Sequence, residues 1–212
     1  SIYGQTAPSN KVKVALIGCR SMGYGDLNTF LDYPETECVA LCDVDDEWLN
    51  KRAADVEKKT GKKVPHLYKD WRRVIDNKDV DVVIIGTPDH WHCLPTVWAC
   101  QAGKDVYVEK PLSNTIEECN LMEKAARKYN RIVQVGQWQR SDPHWDEAAN
   151  FLKVGNIGRI RTVKVWAYQD GKPTLPVKPD CDAPAGVDYD MWLGPAPKRP
   201  FNPVSYTHLT LP

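Results

Sequence analysis

The chain has 212 residues, 42% hydrophobic and 26% charged, with 28 basic and 28 acidic side chains and a formal net charge of zero. This is the composition of an ordinary globular chain, without the basic excess that nucleic-acid binding requires. No apolar run approaches the roughly 20 residues of a membrane-spanning helix, so neither nucleic acid nor membrane is expected as a partner.

Residues 1–11, SIYGQTAPSNK, form a polar leader. Such a stretch is left behind when an export signal is trimmed, which predicts a periplasmic location; an arbitrary beginning leaves a cytoplasmic one open. KVKVALIG then reads as a strand, followed by a helix around Gly23 to Asp32. ECVALCDV is a second strand and Asp45 to Thr60 a charged helix. A short segment at His66–Tyr68 leads into a helix through Trp71–Asp76. VDVVIIGT is a third strong strand, with a helix over Leu94–Ala102, and DVYVEK is a fourth.

TIEECNLMEKAARKYN repeats its apolar positions Ile116, Cys119, Met122, Ala125, Ala126 and Tyr129 at helical spacing. Thr115 with Glu118 three residues on predicts a capping box at its start. RIVQVGQW is a fifth strand, DPHWDEAANFLKVG a further helix, and GRIRTVKVWAYQ a long alternating strand that begins a different sheet. From Gly171 to Pro203 the chain is rich in proline and weakly periodic.

Short, nearly all-apolar strands alternating with helices imply a parallel sheet covered on both faces. The expected fold class is therefore α/β: a Rossmann-type doubly wound sheet over residues 9–140, plus an incomplete second α/β domain opening over 141–203. Val204–Pro212, VSYTHLTLP, resembles the translated end of a sequencing-library adapter. It is expected to be a non-native tail outside the fold, so His208 is not read as a site residue. The seven cysteines include no C-x-x-C pair, so they read as mostly buried free thiols, with Cys38 and Cys42 pointing to one face of their strand.

The suggestive motifs all fall at the carboxyl ends of strands, where such sheets bind ligands. GCRSMG, residues 18–23, follows the first strand and opens a helix, so Gly18, Cys19, Arg20, Ser21, Met22 and Gly23 can present amides to a pyrophosphate. Arg20 stands where a dinucleotide loop has its middle glycine; its side chain can turn outward or lie along a phosphate. Asp43 ends the second strand 20 residues after Gly23, where a carboxylate accepts from ribose hydroxyls and repels a 2′-phosphate. That favours NAD over NADP.

In GTPDHWH, Thr87-Pro88 makes a rigid turn and Asp89 a plausible helix cap. His90 and His92 do not share a helical face, so no metal is expected; they read as cofactor neighbours or as solvated turn residues. In VEKPLS, Lys110 can set an ammonium beside a substrate hydroxyl, Glu109 can hold it, and Pro111 stiffens the turn. A surface ion pair with a turn proline is the plainer alternative.

Together ALIGCRSMG, CDVD, TPDHWH, GKDVYVEKPLS, QVGQWQRS and DYDMWLGPAP resemble the Gfo/Idh/MocA family of oxidoreductases, over about residues 11–203. The resemblance implies an N-terminal Rossmann domain and a C-terminal domain whose open sheet often forms homo-oligomer interfaces. It implies sugar, inositol or polyol substrates and NAD or NADP as cofactor. Gly18–Gly23 would then carry the pyrophosphate, Asp43 the ribose, and Thr87, Pro88, His90 and His92 would line the cofactor. Glu109, Lys110 and Pro111 would hold the nicotinamide end, with Lys110 the catalytic assistant. Arg140 matches a basic position near cofactor or substrate, and Trp138 stands where relatives often carry Asn or Gln.

Three functions remain open: a dehydrogenase of a carbohydrate carbinol, a glycosidase that oxidises its sugar transiently through NAD, and a non-catalytic dinucleotide-binding module. The family's later catalytic segment would lie beyond Pro203, so this chain is expected to bind NAD but turn over poorly.

Overall fold

The computed structural model describes residues 10–166 and 176–208. Six strands form one parallel sheet: β1 Val12–Ile17, β2 Thr36–Cys42, β3 His66–Tyr68, β4 Val82–Ile85, β5 Asp105–Glu109 and β6 Val133–Gly136. Their order across the sheet is β3-β2-β1-β4-β5-β6, the doubly wound arrangement, which reverses direction between β1 and β4. The short segment at His66–Tyr68 is thus the edge strand beside β2.

Helices α1 Ser21–Phe30 and α2 Asp46–Thr60 cover one face, and α3 Arg72–Asp76, α4 Cys93–Gln101 and α5 Ile116–Lys128 cover the other. On the first face Val14, Leu16, Leu41 and Ile84 pack against Leu27, Leu49 and Val56. On the second, Ala15, Ile17, Val83, Ile85 and Val108 pack against Val74, Ala99, Met122 and Ala125. Strands buried on both sides leave no room for polar alternation, which is why their sequences run continuously apolar.

Local chemistry sets the helix ends. Asp45 caps α2 by accepting from the Glu47 amide, and Gly61 closes it in the left-handed region at φ 72°. Thr115 caps α5 by accepting from the Glu118 amide at 3.1 Å. The Glu118 carboxylate takes the Ser113 hydroxyl, so the box is half closed.

Four expectations are corrected. Cys38 and Cys42 lie on opposite faces, because the β1–β2 register shifts between Val14 and Ala15 and leaves Val39 as an extra residue. Ile116 is 77% exposed: it sits in the first turn of α5, ahead of the stripe that Met122 and Ala125 bury. Asp89 caps no helix by its side chain; it opens a 3₁₀ turn, Asp89–Trp91, and its carbonyl accepts from the His92 amide. The long strand predicted from Gly158 pairs with no strand as far as residue 166, and its remainder lies outside the described residues. An extended segment needs a strand edge for its amides, and among the described residues this one pairs with neither edge of the sheet.

Beyond β6, α6 Pro143–Lys153 buries none of its side chains. The later segment behaves differently. Residues 181–206, with α7 Tyr189–Leu193 and α8 Pro203–His208, fold back over the carboxyl end of β2. The Asp188 amide donates to Val44 O at 2.9 Å, and Trp192, Leu193, Phe201 and Tyr206 form a satellite cluster. Tyr206, in the segment expected to be a non-native tail, packs in that cluster.

Candidate functional site

Where the sheet reverses, the loop from β1 to α1 presses against the end of β4. Gly18 takes φ 88°, and a Cβ there would stand 2.6 Å from the Gly86 carbonyl carbon. A Cβ on Gly23 would overlap Gly18 O, and one on Gly86 would overlap the Gly23 Cα. Three backbones in direct contact make this a place only glycine can fill.

The first turn of α1 has no side-chain cap. Its leading amides, with the helix dipole behind them, can therefore take an anion. Arg20 does not fill the loop. Its Nη2 lies 3.0 Å from Asp45 Oδ2, and its guanidinium sits 4.4 Å from the Tyr206 ring centroid.

Asp43, at the end of β2, is 9% exposed. Its Oδ2 accepts from the Cys19 amide at 2.6 Å and its Oδ1 from the Asp45 amide at 3.0 Å. Burial pushes its carboxyl above the ordinary value, while those two amides pull it back. The side chain thus ties the glycine loop to β2 at the wall of the cleft.

The other end is built by the turns after β4 and β5. Glu109 is buried; its Oε2 accepts from the Lys110 amide at 3.3 Å, and its Oε1 has no partner among the described residues. Thr87 Oγ1 is also buried without a partner among the described residues. Lys110 lines the cleft with an exposed side chain. Behind Glu109, Asp26 of α1 is half-buried with its Oδ2 unpartnered, and burial, then the Glu109 charge, push its carboxyl up to about 7.

One cleft of about 330 Å³ joins the two ends. Gly18, Arg20, Ser21, Met22, Asp43, Thr87, Pro88, Glu109 and Lys110 line it together. A glycine cradle, uncapped amides, a buried carboxylate and two orphaned polar atoms match the needs of a phosphate-bridged dinucleotide.

Several of the residues expected at the cofactor do not line this cleft. The rings of His90 and His92 are not in the cleft lining. His90 Nε2 meets Trp192 O at 2.8 Å, and burial lowers its pKa. His92 bridges Pro111 O at 2.7 Å and Thr87 O at 2.9 Å, strutting the two turns from inside. Cys19 contributes its amide to Asp43, while its thiol is buried against Cys42 O. Gly23 and Pro111 support the lining without joining it. Trp138 and Arg140 sit exposed in a 3₁₀ turn after β6, away from the cleft. Their positions in sequence follow a sheet strand, but the turn carries them outward.

Sequence reading missed Lys69, Trp71, Trp192 and Tyr206, which with Trp91 complete the wall. Trp91 donates its Nε1–H to Met191 O at 2.9 Å, joining the TPDHWH turn to the DYDMWLGPAP segment. Trp91 and Trp192 stood inside those two motifs. Lys69 had no signal, and Tyr206 lay in the tail set aside.

A family model described as "Oxidoreductase family, NAD-binding Rossmann fold" (GFO_IDH_MocA) matches residues 12–137. A levoglucosan dehydrogenase of Pseudarthrobacter phenanthrenivorans is 38% identical over 101 residues, 48% of this chain and 26% of the relative. A glycosyl hydrolase family 109 protein of a Shewanella species is 31% identical over 141 residues, 64% of this chain and 30% of the relative. The crystal structure of myo-inositol 2-dehydrogenase from Lactobacillus plantarum superposes with a TM-score of 0.62 at 27% identity, over 71% of this chain and 43% of that one. The chain thus spans less than half the length of each of these relatives.

Proposed function

The chain belongs to the Gfo/Idh/MocA oxidoreductases, and from that membership we propose that its cleft is the cofactor half of an NAD-dependent enzyme acting on a carbinol of a sugar, inositol or related polyol. One observation carries the reading: Asp43 and Lys110 stand along a single cleft floored by the Gly18–Gly23–Gly86 contact. Bound NAD supplies hydride acceptance at its nicotinamide. The amides of residues 20–22 hold the pyrophosphate, and Asp43 accepts from the adenosine ribose hydroxyls while disfavouring a 2′-phosphate. Thr87 Oγ1 and Glu109 Oε1 give the nicotinamide end its polar partners.

The Lys110 ammonium then faces the substrate oxygen and stabilises charge as the C–H bond breaks. Residues 141–203 open the substrate-side domain. The matched part covers less than half of each of these relatives, and on this reading the chain by itself binds NAD without turnover; polyol-dependent NADH formation by it would overturn that part. Calorimetry with NADH tests the site, with Asp43→Ala expected to weaken binding by about tenfold or more. No heat with the unmodified, folded chain sinks the reading.

The family 109 relative supports a second reading, a glycosidase that oxidises its sugar transiently. Net NADH accumulation by the full-length protein separates the two, since only the dehydrogenase produces it. A purely dinucleotide-binding module would keep its function in Lys110→Ala, which abolishes both enzyme activities.

A further inference from the structure

Three consecutive peptide units of the loop from β1 to α1 are held from three directions. The first is pinned by β2, since the Cys19 amide donates to Asp43 Oδ2 at 2.6 Å. The third starts the helix, its Arg20 carbonyl accepting from the Tyr24 amide at 3.0 Å. The unit between them, joining Cys19 to Arg20, is held by α2: Arg52 Nε donates to the Cys19 carbonyl at 3.1 Å. Arg52 is itself braced. Its guanidinium lies 4.1 Å from the Tyr24 ring centroid on α1 and 5.1 Å from that of Trp48 on α2, and its Nη1 meets Asp55 Oδ2 at 2.7 Å. A planar guanidinium fixed by two rings and a carboxylate loses little further freedom in holding one carbonyl.

The geometry points to Arg52 as a positioning residue for cofactor binding: its Nε draws the Cys19 carbonyl toward α2 and so turns the Arg20 N–H toward the pyrophosphate. The inference rests on the dinucleotide reading above. Carbonyl and N–H point in opposite directions across a trans peptide plane, so fixing one aims the other. The Arg20 N–H then faces the cleft that Gly18, Arg20 and Ser21 line, and among the described residues it has no acceptor. Gly18, at φ 88°, makes the preceding hinge permissive. A rotated unit would offer the pyrophosphate a carbonyl in place of an N–H, turning attraction into repulsion. Arg52 lies outside the cleft lining and Asp55 offsets its charge, so its effect passes through this one peptide.

The test compares the unmodified chain with Arg52→Met and Arg52→Lys, titrated with NADH and with adenosine at about 0.05 and about 0.5 M NaCl. Methionine keeps an apolar stem between the two rings and removes the donor, whereas lysine retains a donor on a stem of similar length. Arg52→Met is expected to bind NADH about tenfold more weakly at both salt concentrations, with Arg52→Lys between and adenosine, which has no phosphate, unchanged. NADH binding by Arg52→Met as tight as that of the unmodified chain overturns the clamp and leaves the cofactor reading standing. So does a difference that vanishes at the higher salt, which would mark a charge effect, or an equal loss for adenosine, which would mark a general loosening. If Arg52→Met does not fold, nuclear magnetic resonance on the unmodified chain decides: the Arg20 amide should shift on NADH addition, and the Arg52 Nε–H should exchange slowly with water. An unmoved Arg20 amide or a fast-exchanging Nε–H overturns the clamp. Absence of NADH binding by the folded, unmodified chain overturns both.

Discussion

Asp26→Asn probes the carboxyl group held behind Glu109. Folding raises the Asp26 pKa from 3.8 to about 7, burial first and the Glu109 charge second. Between those two values the unfolded chain has released its proton while the folded chain retains it. Stability therefore falls as pH rises from about 4 to about 7, and is flat above. At 1.36 kcal/mol per pH unit the whole interval would amount to about 4 kcal/mol. Asp26 is only half-buried, so solvent screening reduces this to roughly 1–2 kcal/mol.

Asparagine preserves the shape and has no proton to lose. Urea melts of both proteins at pH 4.5, 6, 7 and 8 should show a gap favouring the Asp26→Asn variant that opens with pH, which near neutrality corresponds to about 3–6 °C in Tm. A constant gap, or a variant less stable than the unmodified chain at every pH, would refute the placement of Asp26 beside Glu109.

Three further outcomes follow from packing. Gly86→Ala drives a methyl into the Gly23 Cα and should cost about 1–3 kcal/mol in thermal unfolding while also weakening NADH binding. Met122→Ala, at a side chain 1% exposed, should cost about 2–5 kcal/mol, whereas Ile116→Ala, at 77% exposed, should stay within about 0.5 kcal/mol; equal effects would contradict the assigned face of α5. His92→Phe removes the two ring nitrogens, Nδ1 facing Pro111 O and Nε2 facing Thr87 O. It should lower stability by roughly 2 kcal/mol in urea melts, and an unchanged midpoint would deny the strut.

Much of the architecture is written in local pattern. The continuous apolar runs of β1, β4 and β5 announce strands buried on two faces, and Thr115, Asp45 and Gly61 mark helix ends through hydrogen bonds that reach only two to four residues. Asp43 was legible because a strand end and a glycine loop have a near-constant spacing in such sheets. His90, His92, Trp138 and Arg140 were placed at the cofactor by resemblance to the family's motifs. Which way a turn side chain points depends on the surfaces that meet it, and for the two histidines those are backbone carbonyls inside the fold.

What the chain alone determined was therefore the alternation of elements, the parallel sheet and the loops at its carboxyl edge, because each rests on periodicity or on contacts a few residues long. The bulge at Val39 that separates Cys38 from Cys42 was decided only in three dimensions. So were the seating of Tyr206 on Asp45 across 161 residues and the tryptophan wall from two distant segments. Such contacts join surfaces with no fixed separation along the chain, and hydrophobic burial, which has no direction of its own, leaves no local pattern by which to read them.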